Sequence, residues 1–320
     1  MQIARTGGPE QFERIDLGEQ SPAHGEVRVR TTAIGLNYID TYHRTGLYPV
    51  KLPAVLGGES VGVVEAVGEG VTTLAVGDRV GSYGPTLGGY ASHRVLPAAE
   101  CVTLPDALDD ETVAATLLKG ATVEFLVERC AKVQPGWPVL VWAAAGGVGH
   151  LAVQWLHAVG AEVIGVAGGA AKAASVRAAG AAHVIDHTAE DVAERVKAIT
   201  GGKGVPVILD GVGKASWEAS LKSVARRGLI VSYGNASGPV EGVALGALAR
   251  AGSVFVTRPT LFDYASTPEE RQACVDRVFA MLREGKLTAE IGQRFPLDRV
   301  ADAHRAMEAG ETRGSTILLP

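Results

Sequence analysis

Val139-Leu140-Val141-Trp142-Ala143-Ala144-Ala145-Gly146-Gly147-Val148-Gly149 begins as an apolar, partly β-branched run and breaks into small residues. The first part reads as a buried strand and the glycines as a tight turn that opens a helix. Ala144-x-Gly146-x-x-Gly149 is a GxGxxG pattern with alanine in first place. Small residues suit a chain that turns sharply, lets a pyrophosphate approach its backbone, and packs the new helix closely on the strand. An ordinary strand-to-helix turn has the same composition, so the surroundings decide.

Downstream, strand and helix signals alternate. Val139 to Ala145, Glu162 to Ala167, His183 to His187, Val205 to Asp210, Leu229 to Tyr233 and Ser253 to Thr257 are strand candidates. Helical stretches fall between the earlier ones, at 147–159, 171–179, 190–200 and 216–227. Six strands with helical crossovers predict a doubly wound parallel sheet, the dinucleotide-binding arrangement. After Pro259 the alternation stops, leaving two helical segments and a last strand, Ser315 to Leu319.

Upstream, the chain is β-rich. Glu26-Val27-Arg28-Val29-Arg30 alternates with period two, and Val61 to Val67 is a β-branched run bounded by glycines. Short strands with many turns suggest a partly open barrel. From Asp109 to Cys130 the pattern becomes helical, with Asp109 or Asp110 as N-cap and Gly120 interrupting the apolar period. This change marks a domain crossing. The expected division is residues 1–118, then 119–259, then 260–320 returning to complete the first domain.

The bulk properties agree with a two-domain protein. A chain of 320 residues, 47% apolar, can bury a large core. A net charge of −5 offers no general attraction to nucleic acid or an anionic membrane. Three dispersed cysteines, Cys101, Cys130 and Cys274, make neither a disulfide framework nor a thiolate metal site and fit a reducing cytoplasm. From Val133 to Ala161 there is no formal charge, a length that exceeds the roughly 20 residues of a membrane span. The glycine turn in its middle, and His150, Gln154 and His157 beyond it, read instead as strand, turn and helix.

The end of the second strand bears on cofactor choice. Sites for NAD place Asp or Glu there to bind the ribose 2′-hydroxyl, and no acidic residue occurs between Glu162 and Asp186. The strand ends in Gly168-Gly169 with Lys172 just beyond, which leaves room for a 2′-phosphate and a cation to meet it, so NADPH is expected. Metal ligands are in short supply. His150 and His157 fall on a predicted helix and His183 and His187 on a short strand, and neither pair has a third partner, so no metal site is expected.

Several further stretches carry a resemblance. Gly57-Gly58-Glu59-Ser60-Val61-Gly62 is similar to the GHE-x-x-G signature of the zinc alcohol dehydrogenases, with Gly58 where their ligand histidine stands. Gly35 to Tyr42, Thr45-Gly46-Leu47-Tyr48-Pro49, Gly77-Asp78-Arg79-Val80, Leu118 to Thr122, Ala143 to Gly149 and Tyr233-Gly234-Asn235 resemble the bacterial quinone oxidoreductases of the zeta-crystallin group, within the medium-chain dehydrogenases and reductases. The likeness runs almost end to end.

It implies an α/β protein: a GroES-like β-rich catalytic domain, a Rossmann doubly wound parallel sheet domain, and NADPH in a cleft between them. It further implies that Asn37, Asp40, Tyr42 and Thr122 line the nicotinamide end and that Gly146, Gly147 and Val148 hold the pyrophosphate. Gly169, Lys172 and His187 would surround the adenosine phosphate, and Tyr233, Gly234 and Asn235 would flank the nicotinamide ribose. Two positions depart from relatives: His187 replaces a tyrosine, and Gly211 a serine.

The implied activity is reduction of a small-molecule quinone by hydride or single-electron transfer, in a cytoplasmic homodimer that needs no zinc. Charge developing on the quinone oxygen requires a donor. Asn37, Tyr42 and Tyr48 are the candidates, although an asparagine also serves to orient a ribose and tyrosines to support a loop. An enone or enal reductase and a non-catalytic, crystallin-like NADPH-binding protein are the alternative readings.

Overall fold

The computed structural model describes residues 1–320 and divides into two compact units. One comprises Met1–Ala121, Ala265–Ala280 and Ala289–Pro320; the other comprises Thr122–Tyr264 and Met281–Thr288.

The second unit is built on six parallel strands in the spatial order His183–Asp186, Glu162–Ala167, Pro138–Val141, Val205–Asp210, Val224–Ser232, Phe255–Thr257. That order, with the first strand of the motif at the centre and the chain winding outward on both sides, is the doubly wound topology. Val139 pairs with Val163 on one side and Val207 on the other, and the three are essentially without exposure, as strands covered on both faces require. The uncharged stretch 133–161 becomes strand, turn and the helix Gly147–Ala158, and no helix is long and apolar enough to cross a membrane.

Two expectations here need correction. The helix placed at 216–227 ends at Ser223, and the next strand begins at Val224 rather than Leu229. Ala225, Arg226 and Arg227 favour helix intrinsically, but pairing of Val224 with Val205 overrides that preference. Arg227 takes a φ of 57° beside Gly228, so the strand stays irregular until Leu229.

The first unit holds a seven-stranded sheet in which Glu26–Leu36 is central, pairing with Glu59–Val67, His93–Pro97 and Ser315–Leu319. Its interior alternation is that of a half-buried strand: Val27, Val29 and Val64 pack with Val80 and Leu96, and Ile34 and Leu36 with Ile3, Leu56, Tyr90 and Leu318. The C-terminal part contributes the helices Pro268–Arg283 and Val300–Glu308 and the expected last strand. It also contributes Ile291–Pro296, parallel to Ser315–Leu319, which sequence reading missed. With Gly292 and Pro296 inside it and every residue at least partly exposed, this edge strand carries little apolar signal.

The helix Asp110–Glu124 is capped by Asp109, whose carboxylate accepts from the Thr112 backbone N–H at 2.8 Å. Gly120 does not break it. A Cβ there would come within 2.6 Å of Val278, so the glycine lets Pro268–Arg283 approach.

Candidate active site

The expected residues of the first unit gather around one short helix, Tyr38–Thr45, which directly follows the central strand. The Asn37 N–H donates to Asp40 Oδ2 at 2.9 Å and the Asp40 N–H donates to Asn37 O at 3.0 Å, so the helix start is closed on itself. Gly46 ends the helix at a φ of 85°, and the chain folds back so that the Tyr48 N–H reaches Tyr42 O at 3.0 Å. The Tyr42 and Tyr48 rings meet edge to face with centroids 5.1 Å apart.

Asn37 spends both amide hydrogens inward. Nδ2 donates to Glu59 Oε2 at 2.7 Å and to Gly35 O at 3.2 Å. Only the carbonyl oxygen is left to meet a ligand, which suits an acceptor for a ribose hydroxyl and not a donor to a developing oxyanion. Asp40 has no exposure at all and acts through Asn37 and through Tyr90, whose hydroxyl donates to Oδ2 at 2.9 Å. Burial pushes its carboxyl up to about 6, against the pull of these hydrogen bonds. Tyr90 is joined in turn to His304 Nε2 at 3.0 Å, and His304 Nδ1 faces Arg44 Nη1 at 3.0 Å. A guanidinium only donates, so His304 carries its proton on Nε2 and donates to the Tyr90 oxygen.

In the second unit, the residues cluster at the C-terminal ends of the strands. Gly146 precedes the helix Gly147–Ala158, and the first intrahelical bond runs from the His150 N–H to Gly146 O at 2.7 Å. The N–H groups of Gly147, Val148 and Gly149 therefore open outward, no side chain caps them, and the first turn has no acidic residue. A Cβ on Gly149 would lie 2.2 Å from Ala143 O, so helix and turn pack as closely as the glycine pattern implies. A pyrophosphate fits this helix start.

Gly169, at a φ of 83°, caps the helix Ala170–Ala178, which carries Lys172 in its first turn and no acid. His187 stands beside the same turn, since a Cβ on Gly168 would lie 3.0 Å from its Nε2. An acid reaches this turn after all, from the third strand: Asp186 Oδ1 accepts from the Gly169 N–H at 3.0 Å and from Thr188 N and Oγ1 at 3.0 and 2.7 Å. The Thr188 hydroxyl first, then the Gly169 N–H, hold its carboxyl down to about 2. Reading only the second strand missed it.

Tyr233, Gly234 and Asn235 follow the strand Val224–Ser232. The Tyr233 N–H donates to Asp210 O at 2.8 Å, and a Cβ on Gly234 would strike Gly211 O at 2.3 Å. Gly211 itself leaves room for Tyr233, whose ring lies 2.9 Å from where a Cβ would stand. Asp210, buried at the end of its strand, organises the crossing: its carboxylate accepts from Val212 N, Gly213 N, Ser216 Oγ and Ser220 Oγ at 2.8–3.1 Å. Arg258 donates to Ser232 O at 2.7 Å and, in the amide orientation that satisfies both partners, to Asn235 at 3.2 Å. Thr122 lies half-buried at the start of this unit's first segment.

Asp210, Glu59, Lys119 and Arg258 were not singled out from sequence. The available signal was a charge inside or at the end of an apolar run, as in Leu117-Leu118-Lys119 and Ile208-Leu209-Asp210. No group of three or more His, Cys, Asp or Glu converges as a metal site; His157 packs at Gly180, and His183 pairs with Glu162 at 3.1 Å on the surface. A cavity of about 870 Å³ in the first unit, bordered by Arg14, Arg28, His93 and Asp298, is lined by none of the expected site residues.

Comparison with known proteins adds the family. The family model for the alcohol dehydrogenase GroES-like domain matches residues 23–106, and that for zinc-binding dehydrogenases matches residues 147–278. A quinone oxidoreductase of Pseudomonas aeruginosa is 50% identical, with 100% of this chain and 99% of that protein covered. The crystal structure of Escherichia coli quinone oxidoreductase complexed with NADPH superposes with a TM-score of 0.98 at 43% identity, covering 100% of this chain and 99% of the other. A 2-haloacrylate reductase of a Burkholderia species is 41% identical over 99% of this chain and 98% of its own length. With an uncapped, acid-free helix start at Gly146, a doubly wound sheet and full-length likeness at this level, the chain belongs to the quinone oxidoreductase family of the medium-chain dehydrogenases and reductases.

Proposed function

We propose that this chain reduces quinones with NADPH and without zinc. The observation that carries the reading is the full-length match to quinone oxidoreductases, one of them complexed with NADPH. Bound NADPH supplies a hydride from its reduced nicotinamide. The protein's part is to bind, orient and supply hydrogen-bond donors.

The first-turn N–H groups at Gly147 and Val148, with Gly146 before them, hold the pyrophosphate. Lys172 pairs with the 2′-phosphate beside Gly169 and His187. Tyr233, Gly234 and Asn235 border the ribose and nicotinamide with Thr122, and Asn37 offers Oδ1 as an acceptor for a cofactor hydroxyl. Asp40 is a positioning residue behind Asn37. Tyr42 and Tyr48 are the remaining donors for the quinone oxygen.

Gly58 and the missing third ligand support zinc independence. The open edge strand Phe255–Thr257, with Phe255 62% exposed and Leu245 80%, supports a homodimer paired along that edge. Residues 1–118 and 260–320 serve as catalytic domain and 119–259 as cofactor domain. The substrate is a small molecule, with neither nucleic acid nor membrane as partner, and the acidic chain with dispersed cysteines suits the cytoplasm.

The second reading, reduction of an activated C=C bond, is favoured by the 2-haloacrylate reductase relative. Initial rates with NADPH on a panel of quinones and enones separate the two. Quinone turnover is expected; turnover of enones alone would put the second reading first, and tight NADPH binding with no turnover would indicate a binding protein.

A further inference from the structure

Behind Asn37 lies a buried ion pair. Glu59 has no exposure, and Lys119 is 4% exposed. Glu59 Oε2 accepts from Asn37 Nδ2 at 2.7 Å, Oε1 accepts from the Leu118 backbone N–H at 2.8 Å, and Lys119 Nζ stands 3.8 Å from Oε2. The pocket is built for the carboxylate: a Cβ on Gly35 would lie 1.9 Å from Oε2, so only glycine admits Glu59 at this place. Lys119 Nζ is buried without a hydrogen-bond partner, so its compensation is the charge of nearby carboxylates, Glu59 first and Asp40 second.

We propose that Glu59 and Lys119 are positioning residues that fix the amide of Asn37 with both hydrogens turned inward and its carbonyl turned to the ligand. Two donors converge on Glu59 from two elements, and an ionised carboxylate offers each an oxygen with no proton of its own to place. An amidated residue has one acceptor oxygen and one donor nitrogen, and a protonated one turns one of its oxygens into a donor. If its acceptor serves Leu118, its donor meets Asn37, and the Asn37 amide must rotate to present Oδ1 inward. That rotation exchanges an acceptor for a donor at the face the ligand meets. The Lys119 charge opposes the rise that burial imposes on the Glu59 carboxyl and so favours its ionised form.

The consequence for cofactor binding rests on the reading of Asn37 above, but the orientation of its amide is measured without cofactor. The test uses the full chain at pH 7.5, with the Asn37 side-chain amide assigned by its loss in Asn37→Ser. Hydrogen exchange of that amide is followed by NMR in Glu59→Gln, Lys119→Met and the double variant. Protection in the wild type, exchange about tenfold or more faster in both single variants, and no recovery in the double variant are expected. The double variant removes both buried charges and regains thermal stability over the singles, so a merely structural role would restore protection with it.

Glu59→Gln with wild-type protection overturns the proposal even if Lys119→Met does not fold. NADPH affinity is expected to fall about tenfold alongside. Lost protection with intact NADPH affinity supports the positioning role and overturns the assignment of Asn37 to the cofactor.

Discussion

Asp40 and His304 meet through one hydroxyl, Tyr90, and burial moves their protonation in ways that oppose each other in stability. Asp40 rises from 3.8 to about 6, so the folded protein binds its proton more readily than the unfolded chain. That contribution is full below about 3.8 and is lost as pH rises through about 6. His304 falls from 6.5 to about 3, through burial first and the Arg44 charge second. Its contribution is full above 6.5 and is lost as pH falls toward about 3. In Asp40→Asn, stability relative to wild type should improve by on the order of 3 kcal/mol between pH 4 and pH 7. In His304→Gln, the wild type's advantage should shrink as pH falls over the same range. Urea unfolding of the three proteins at both pH values checks both signs; parallel pH dependences would show that neither shift exists. At the cofactor end, Lys172→Ala should weaken NADPH about ten- to a hundredfold while sparing NADH, one charge-assisted contact being worth about 1.5–3 kcal/mol. Nicotinamide fluorescence titration reads both constants. The gap that singles out Lys172 for this proposal was visible in the chain as a missing acid. Asp186 was not, because it reaches the same turn from a strand 17 residues beyond Gly169. The inward use of both Asn37 hydrogens was equally hidden, since Glu59 is 22 residues away.

The turn at Ala143–Gly149 separates binding from folding. Gly147→Asp places a carboxylate at the open N–H groups, where it repels a phosphate, so NADPH binding should vanish while the unfolding midpoint changes little. Gly149→Ala instead drives a Cβ to within 2.2 Å of a backbone oxygen, and should cost both binding and on the order of 1–3 kcal/mol of stability. Equal stability of Gly149→Ala and wild type would mean that the close helix–strand packing is not required. Most of the six parallel strands could be placed from sequence because buried β-branched runs such as Val205–Asp210 are dense and bounded. Where tertiary pairing opposes local preference, at 224–228, or where an edge strand is half exposed, at 291–296, the pattern is silent. The early strands of the first unit show the same contrast: Glu26–Leu36 announces itself by alternation, whereas Gln2–Ile3 and Ala54–Val55 pair over two residues each and cannot.

In the proposed reaction every protein group comes from this chain and no metal takes part. His, Cys, Asp and Glu side chains do not converge in threes, and Gly58 offers no ligand. Three of the buried acids, Asp40, Glu59 and Asp210, are engaged with backbone and side-chain donors that hold loops in place. The most direct measurement is therefore the stoichiometry of NADPH oxidised to hydroquinone formed, under anaerobic conditions, by protein dialysed exhaustively against a chelator. One hydroquinone per NADPH, at the rate of undialysed protein, is expected. Loss of turnover on dialysis with recovery on adding stoichiometric zinc, or oxidation of NADH in preference to NADPH, would contradict it.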